Sequence, residues 1–409
     1  MKVAIVGAGA AGMFAASNIK SADITILESG GEILRKVAQS GGGRCNFTNA
    51  ESDISKFIQN YPRGGRSLRK PFMRFGMPQT LQWFKERGVD HIAESDGRIF
   101  PISQRSSQII DCLKSEAQKA GVSLIKNFAV CALEKTPSGN FLISAKSGEA
   151  LYADIVLLAV GGRWNESLKA SLQKLGHKFI EPLPSLFPFA LGDKKFLSLA
   201  GLSLENVKLK AEEFNFETAG GLVITHEGIS GPAVLKMSSL GARVFYEKNY
   251  RFKLSLSAIS SAQSFCEFCA RARAKEAKKL VKNFRFPELA ERYWLFALER
   301  AQIPQDLDWA HFSKENQTKL LSVLSALELT VLSRAANAGE FVTCGGVDIA
   351  DIDFKTMQSK KTEGLFFAGE CLDIDAFTGG FNLQAAWTTA KIAALEIENI
   401  CAKKNLALQ

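Results

Sequence analysis

Apolar positions along the chain fall into three patterns. The first is the short unbroken run closed by glycine: Val3-Ala4-Ile5-Val6 before Gly7, Ile155 to Val160 before Gly161-Gly162, and Leu365 to Ala368 before Gly369. Runs of this length suit strands buried on both faces of a parallel sheet. A glycine at the strand end brings backbone close to a ligand. The second pattern is alternation. Asp23-Ile24-Thr25-Ile26-Leu27-Glu28 reads as the second strand of a βαβ unit whose helix starts near Met13-Phe14-Ala15-Ala16. Leu124 to Glu134, Asn140 to Ala145 and Tyr152 to Val160 read as further strands, the first rejoining the parallel sheet and the next two forming a meander around Ser138-Gly139. The third is helical spacing, which predicts helices over Pro78 to Gly88 and over Ser106 to Gly121, the latter with Ile109, Ile110, Leu113 and Ala117 on one face.

The grammar changes at Pro182-Leu183-Pro184-Ser185-Leu186-Phe187-Pro188, which marks the exit from a first domain (1–189). Residues 190–258 alternate in strand fashion at Val207 to Lys210, Leu222 to Thr225, Val244 to Tyr246 and Arg251 to Leu256, predicting a small β domain. Within it, Ser230 is placed as the N-cap of a helix and Pro232 near its first position. Residues 259–335 read as a polar helical domain. From 336 to 409 strand and glycine-turn grammar returns, in Glu340 to Asp348 and Gly364 to Glu370, followed by a helix opening near Phe377 to Ala386. The last segment therefore belongs with the first domain.

The turn Gly7-Ala8-Gly9-Ala10-Ala11-Gly12 is a G-x-G-x-x-G at a strand-to-helix junction. In such a site the first glycine permits the tight turn, the second lets backbone approach a pyrophosphate, and the third lets the helix pack on the strand. Glu28, 21 residues after Gly7, stands where a carboxylate accepts from the ribose hydroxyls of an adenine nucleotide. Lys2, the apolar run and Ala15-Ala16-Ser17 mimic a secretory signal, but glycines interrupt the run and a strand follows at βαβ spacing, so no leader is expected. Gly41-Gly42-Gly43-Arg44 forms a backbone nest that can approach phosphates or a flat ring.

Composition adds bounds. The chain has 409 residues, 46% hydrophobic, enough for a large core and two or three domains. Its apolar runs fall well short of the roughly 20 residues needed to cross a bilayer, so no membrane span is expected. Eight scattered cysteines predict reduced thiols in a cytoplasm. Cys266-Glu267-Phe268-Cys269 has no second pair, so no metal site is expected. The net charge of +9 is concentrated in Arg271 to Arg285, with seven basic side chains and only Glu276 as an acid. That segment reads either as a nucleic-acid patch or as a solvated helix face.

Together these stretches resemble FAD flavoproteins of the glutathione-reductase-like superfamily, and within it the BaiN/RdsA family of NAD(P)/FAD-dependent oxidoreductases, which includes aminoacetone oxidases. The resemblance rests on Gly7 to Gly12 with Glu28, on Ser40 to Asn49, on Thr225-His226-Glu227-Gly228-Ile229-Ser230-Gly231-Pro232, and on Gly364 to Glu370 with Gly379 to Gln384. Val342 to Val347 and Gly97 to Pro101 also fit. It implies an α/β fold: a Rossmann-like FAD-binding domain made of both chain ends, with the small β domain and the helical domain inserted. It further implies that Gly7, Gly9, Ala10, Ala11 and Gly12 hold the pyrophosphate, Glu28 the ribose and the Val130 backbone the adenine. Glu370 would bind the ribityl chain, Phe381, Asn382 and Leu383 the flavin pyrimidine, and Gly43, Arg44, Cys45 and Asn46 the flavin or phosphate. Ser29, Lys36, Gly42, Ala159, Gly161, Gly369 and Gly380 complete the expected cofactor set. The family usually carries a long loop after the glycine pair, whereas here Gly161-Gly162-Arg163-Trp164-Asn165-Glu166-Ser167 passes directly into a helix. The substrate pocket is therefore expected to differ.

Three functions remain open on the sequence. One is an FAD-dependent oxidoreductase acting on a small organic substrate, with His226 as acid–base candidate and with NAD(P)H as a transient co-substrate or oxygen as acceptor. The second is a flavoenzyme acting on RNA through the basic segment, and the third a flavin-binding protein without turnover.

Overall fold

The structure is a computed structural model that describes residues 1–335 and 342–407. It divides into two compact units, one formed by Met1–Pro184 with Val342–Gln409 and the other by Ser185–Phe341.

The first unit is built on a seven-stranded sheet. Its middle is parallel: β1 (Lys2–Val6) pairs with β2 (Asp23–Leu27), β2 with β3 (Ser123–Ile125), β1 with β4 (Ile155–Leu158) and β4 with β5 (Leu365–Phe367). Val3 faces Ile155 and Val6 faces Leu158, so the apolar runs lie side by side. Antiparallel additions at Ile352–Asp353 and Gln358–Ser359 extend the β5 edge. Helix α1 (Ala10–Ala16) follows β1, α2 (Gly65–Arg74) lies later in the chain, and α3 (Phe381–Ala407) follows β5. Phe14 of α1 meets Trp387 of α3 with ring centroids 5.3 Å apart, and Trp83, Phe84 and Phe75 close the same cluster. Each such buried aromatic contributes about 2–3 kcal/mol relative to exposure. This welds the last helix to the first. The expected Rossmann-like α/β domain formed by both chain ends is observed.

Two predicted strands are each divided. Leu124 to Glu134 breaks at Asn127, in the left-handed region at φ 57°, so that β3 joins the parallel sheet while Val130–Lys135 enters a separate antiparallel sheet with Phe141–Ala145 and Ala150–Ala153. Tyr152 to Val160 likewise splits at Asp154, whose backbone is clasped by Lys2: Lys2 N–H donates to the Asp154 carboxylate at 2.8 Å and Asp154 N–H to the Lys2 carbonyl at 2.9 Å. The helices run Met77–Lys85 and Ser106–Lys119. Phe179–Pro184 pairs with Thr343–Val347. Glu340 and Phe341, the start of the expected 340–348 strand, and the 335/336 boundary lie at or outside the limit of the described residues.

The second unit is a closed six-stranded barrel ordered Phe189–Leu191, Gly228–Ser230, Phe216–Ile224, Ser203–Ala211, Phe252–Ser257 and Leu327–Arg334. Val244–Tyr246 is helical, inside Pro232–Glu247, because Phe245 continues the buried helical stripe of Val234, Met237, Ser238 and Gly241 while Tyr246 faces outward. The N-cap is Gly231, not Ser230: its φ of 104° suits glycine, and a Cβ there would stand 2.8 Å from the Gly221 carbonyl. Pro232 occupies the first helical position as expected. Leu327–Arg334, assigned to the helical segment on sequence, is the strand that closes the barrel. The barrel strands and the helices Ala262–Lys275, Glu291–Arg300 and Lys314–Ser325 share one apolar core, so the separation expected at 258 is not a boundary between cores. Among the described residues no helix is long and apolar enough to cross a membrane.

Candidate functional site

The C-terminal ends of β1, β4 and β5 carry the glycines singled out in the sequence. Gly7 takes φ 107°, and a Cβ on it would stand 2.4 Å from the Ala159 carbonyl. At Gly12 a Cβ would stand 1.9 Å from the Gly7 carbonyl. Both positions therefore exclude a side chain because of the fold itself. Gly9 differs: it caps α1 at φ −82°, and nothing lies within 4 Å of where its Cβ would be. Ala10 and Ala11 start the helix, whose first N–H groups lack intrahelical acceptors. Glu28 clasps this turn. Its carboxylate accepts from Ala8 N–H at 2.8 Å, Gly30 N–H at 3.0 Å and the Ser29 hydroxyl at 3.1 Å. A carboxylate offers about four acceptor positions, which leaves room for a ligand hydroxyl.

Across the sheet ends, Gly161 at φ 73° stands beside Glu370, whose Oε2 lies 3.7 Å from the Gly161 Cβ position. Glu370 accepts from Thr343 N–H at 2.8 Å and pairs with Lys36 at 2.5 Å, joining residues expected separately as cofactor contacts. Gly369 at φ 77° packs against α1, where a Cβ on it would stand 3.1 Å from the Ala11 Cβ, and it donates its N–H to the Thr389 hydroxyl at 2.9 Å. The Ala159 backbone is occupied by the sheet, its N–H donating to the Val6 carbonyl at 2.8 Å. The Val130 carbonyl accepts from the Asn165 amide at 2.8 Å, and the same Asn165 caps the helix Glu166–Lys174. That cap explains how the short segment after Gly162 enters a helix.

The third side is Ser40 to Asn46 with the start of α3. Gly41, Gly42 and Gly43 are all in the left-handed region, and Gly42 and Gly43 face open space. Arg44 is engaged by protein: it donates to Glu94 at 2.7 Å and Gln104 at 3.1 Å, and its guanidinium lies 4.0 Å from the Phe100 ring centre. Cys45 is fully buried, and burial pushes its thiol up to about 12, so only its backbone is available to a ligand. Asn46 is buried and its Oδ1 has no hydrogen-bond partner among the described residues; it stands 2.8 Å from the Cβ position of Gly380. Asn382 braces the approach to α3 through Ala376 N–H at 2.9 Å and the Ala376 carbonyl at 2.8 Å, while the Phe381 carbonyl accepts from Tyr61 at 2.6 Å. Leu383 is half-buried.

Several contributors escaped the sequence reading. Thr343 Oγ1 and Trp164 Nε1 are buried without partners among the described residues, like Asn46 Oδ1. Gln384 ties Thr48 at 2.6 Å to Thr80 at 2.8 Å and Thr388 at 2.9 Å, locking the first turn of α3. The signal for Thr343 was its place beside Cys344-Gly345-Gly346; for Gln384 it was polarity inside an apolar helix.

His226 lies in the second unit, exposed at a turn closed by Thr225 N–H to the Gly228 carbonyl at 2.8 Å, and its ring has no partner among the described residues. Cys266 accepts from Gln317 at 3.2 Å, and burial pushes Cys269 up to about 12.

Residues 1–396 match a family model described as the HI0933-like protein Rossmann domain. A "Ribosomal RNA dihydrouridine synthase" of Haemophilus influenzae is 28% identical over 406 residues, covering 96% of this chain and 97% of its own. A "3-dehydro-bile acid delta(4,6)-reductase" of Clostridium scindens is 28% identical over 418 residues, covering 96% and 98%. Among solved structures, the open conformation of a flavocytochrome c3 fumarate reductase superposes with a TM-score of 0.51 at 15% identity, covering 98% of this chain and 78% of that one. At that identity the likeness is one of fold.

Proposed function

The chain belongs to the HI0933-like Rossmann family, and from that premise we propose that this flavoprotein oxidoreductase binds FAD along the Gly7–Glu28–Glu370–Gly380 rim and saturates a carbon–carbon double bond conjugated to a carbonyl. The observation that carries the cofactor reading is the convergence of glycine-bearing segments on one rim together with buried polar atoms that lack protein partners. Gly9, Gly42 and Gly43 face open space, while Asn46 Oδ1 and Thr343 Oγ1 are buried with no hydrogen-bond partner among the described residues. Such orphaned groups cost about 1–3 kcal/mol each unless a ligand satisfies them. These residues fit a dinucleotide.

In this reading Gly9 and the first amides of α1 approach the pyrophosphate, Glu28 accepts a ribose hydroxyl, and Glu370, held by Lys36 and Thr343 N–H, accepts from the ribityl chain. Asn46 and the start of α3 orient the ring. Bound there, FAD would supply transfer of an electron pair. The bond type rests on chemistry shared by the two relatives' names: dihydrouridine is uridine with its ring double bond saturated, and a delta(4,6)-reductase of a 3-dehydro acid saturates a dienone. His226, exposed in the second unit, is the acid–base candidate the sequence offers, and turnover of His226→Gln at unchanged FAD content tests it. FAD released from denatured protein tests the cofactor; a colourless preparation that takes up no FAD overturns the reading. Anaerobic mixing with NADH and with NADPH, followed by the flavin absorption bands, tests the nicotinamide route.

A second substrate reading, a uracil base in RNA, is favoured by one observation. Arg271, Lys275 and Lys278 are exposed and meet no carboxylate among the described residues, whereas Arg273 is spent on Gln317 and Lys279 on Glu276. It requires salt-sensitive binding of bulk tRNA that charge reversal of Lys278, Lys279 and Lys282 abolishes. Absence of binding in low salt removes it.

A further inference from the structure

Helix α2 carries an unusual surface. Its exposed positions are Arg66, Arg69, Lys70, Met73 and Arg74, recurring at intervals of three and four, so they share one face. Gly65, Leu68, Pro71 and Phe72 bury the opposite face. The exposed face thus bears four cations, no acid, and a methionine that is 66% exposed. Among the described residues none of the four cations meets a carboxylate; Arg74 donates instead to the Lys355 carbonyl. Elsewhere in the same unit, exposed and half-buried cations do pair with acids: Arg44 with Glu94, Arg87 with Glu116, and Arg98 with Glu94 and Asp96.

The helix is rigidly mounted. Arg63, just before it, forms a bidentate pair with the fully buried Asp375, and Gly64 at φ 76° fits so closely that a Cβ would stand 2.5 Å from Ile374. Beneath the charged face, Phe72 meets Phe57 at 5.0 Å, and Phe57 meets Phe381 at 5.0 Å. Tyr61 touches Phe72 at 5.6 Å and donates to the Phe381 carbonyl. The face therefore stands on the same rings that hold Phe381, the first residue of α3, beside Gly380 of the rim.

We infer that this face docks an acidic protein that carries electrons and delivers them to FAD held at the glycine rim. The inference rests on the FAD reading above. Unpaired cations steer an acidic partner and fix its orientation. Arginine and methionine are the residue types enriched at protein interfaces. An exposed methionine set among arginines is the side-chain mix of a protein interface, and tRNA measured beside the carriers separates a nucleic acid from this partner. Saturating one double bond consumes two electrons and two protons. Two encounters with a one-electron carrier, or one with a two-electron carrier, supply the electrons, and solvent supplies the protons.

The test uses the FAD-loaded full chain with two acidic probes, a two-iron ferredoxin and a flavodoxin, and measures binding by calorimetry in low and high salt. Binding of at least one probe is expected in low salt, weakened about tenfold or more by the double variant Arg66→Glu/Arg69→Glu and by high salt, and weakened by Met73→Ser. The exposed control pair Lys146→Glu/Lys174→Glu should leave it within about twofold. FAD content and melting midpoint are measured on every variant, so loss of the cofactor reading is seen separately from loss of docking. The inference is overturned if neither probe binds, if the double reversal leaves binding intact, or if it abolishes tRNA binding while sparing the carriers.

Discussion

Gly9→Ala separates a glycine required by the fold from one required by the ligand. In the protein alone the new methyl has nothing within 4 Å, and φ −82° with ψ −166° is extended backbone open to alanine. Removing a glycine from the unfolded chain stabilises by about 0.4–1 kcal/mol when the native conformation is compatible. The variant should therefore melt at the same temperature as the parent or slightly above it. With FAD present, the methyl holds the pyrophosphate off the turn. Losing one or two charge-assisted hydrogen bonds, at about 1.5–3 kcal/mol each, weakens binding roughly 10- to 100-fold or more. Gly12→Ala is the counterpart. Its Cβ would stand 1.9 Å from the Gly7 carbonyl, so α1 must shift by about 1 Å or more, at a cost of about 1–3 kcal/mol to the fold with or without cofactor. The assay is thermal melting of both apoproteins together with FAD titration followed by fluorescence quenching. Parental FAD affinity in a normally folded Gly9→Ala protein would refute the placement of the pyrophosphate.

Arg63→Ala leaves Asp375 buried without its cation, and urea unfolding should show a loss of about 3–5 kcal/mol. His177 supplies a pH dependence. Its ring lies between the Leu172 carbonyl at 3.2 Å and the Ser359 hydroxyl at 2.8 Å, and burial holds its pKa below the ordinary 6.5. The native state therefore binds this proton less readily than the unfolded chain, so stability is full above 6.5 and falls as pH drops below it. His177→Gln should flatten the melting midpoint between pH 7 and about pH 5, and an unchanged slope would exclude this group as its source. Cys371, like Cys45 and Cys269, is pushed up to about 12 by burial, so native protein at neutral pH should leave these three unlabelled by a thiol reagent that reacts with them after denaturation.

The parallel sheet and its first turn were legible because their signals are local: apolar runs ending in glycine, an alternating strand, an acid at its end. Glu28 and Glu370 could be named for the same reason. What stayed hidden is pairing across distance. Nothing near Lys36 announces Glu370, and nothing near Arg44 announces that Glu94, Gln104 and Phe100 engage it, leaving the nest to backbone alone. Leu327, Leu329 and Val331 alternate inward as plainly as any strand, yet the helical stretch before them masked it. Val244 to Tyr246 failed in the opposite sense: three residues fit either period, and the packing of the whole helix decides.

The return of the chain at Val342, after leaving at Pro184, has a consequence for the order in which the protein is made. Strand β4 ends at Leu158, and its partner β5 begins only at Leu365. At about 5–20 residues per second, roughly 10–40 s of synthesis separate them. During that interval one edge of an apolar strand waits unpaired, the kind of edge that recruits other chains. The barrel unit, whose strands all lie within 189–334, completes its sheet in the meantime. The rim that holds Glu370 and Gly380 exists only after α3 has been synthesised, so a nascent chain has no finished cradle to load. On the proposed FAD placement, cofactor capture and closure of the sheet become one terminal event, and a cell short of flavin would accumulate its losses there.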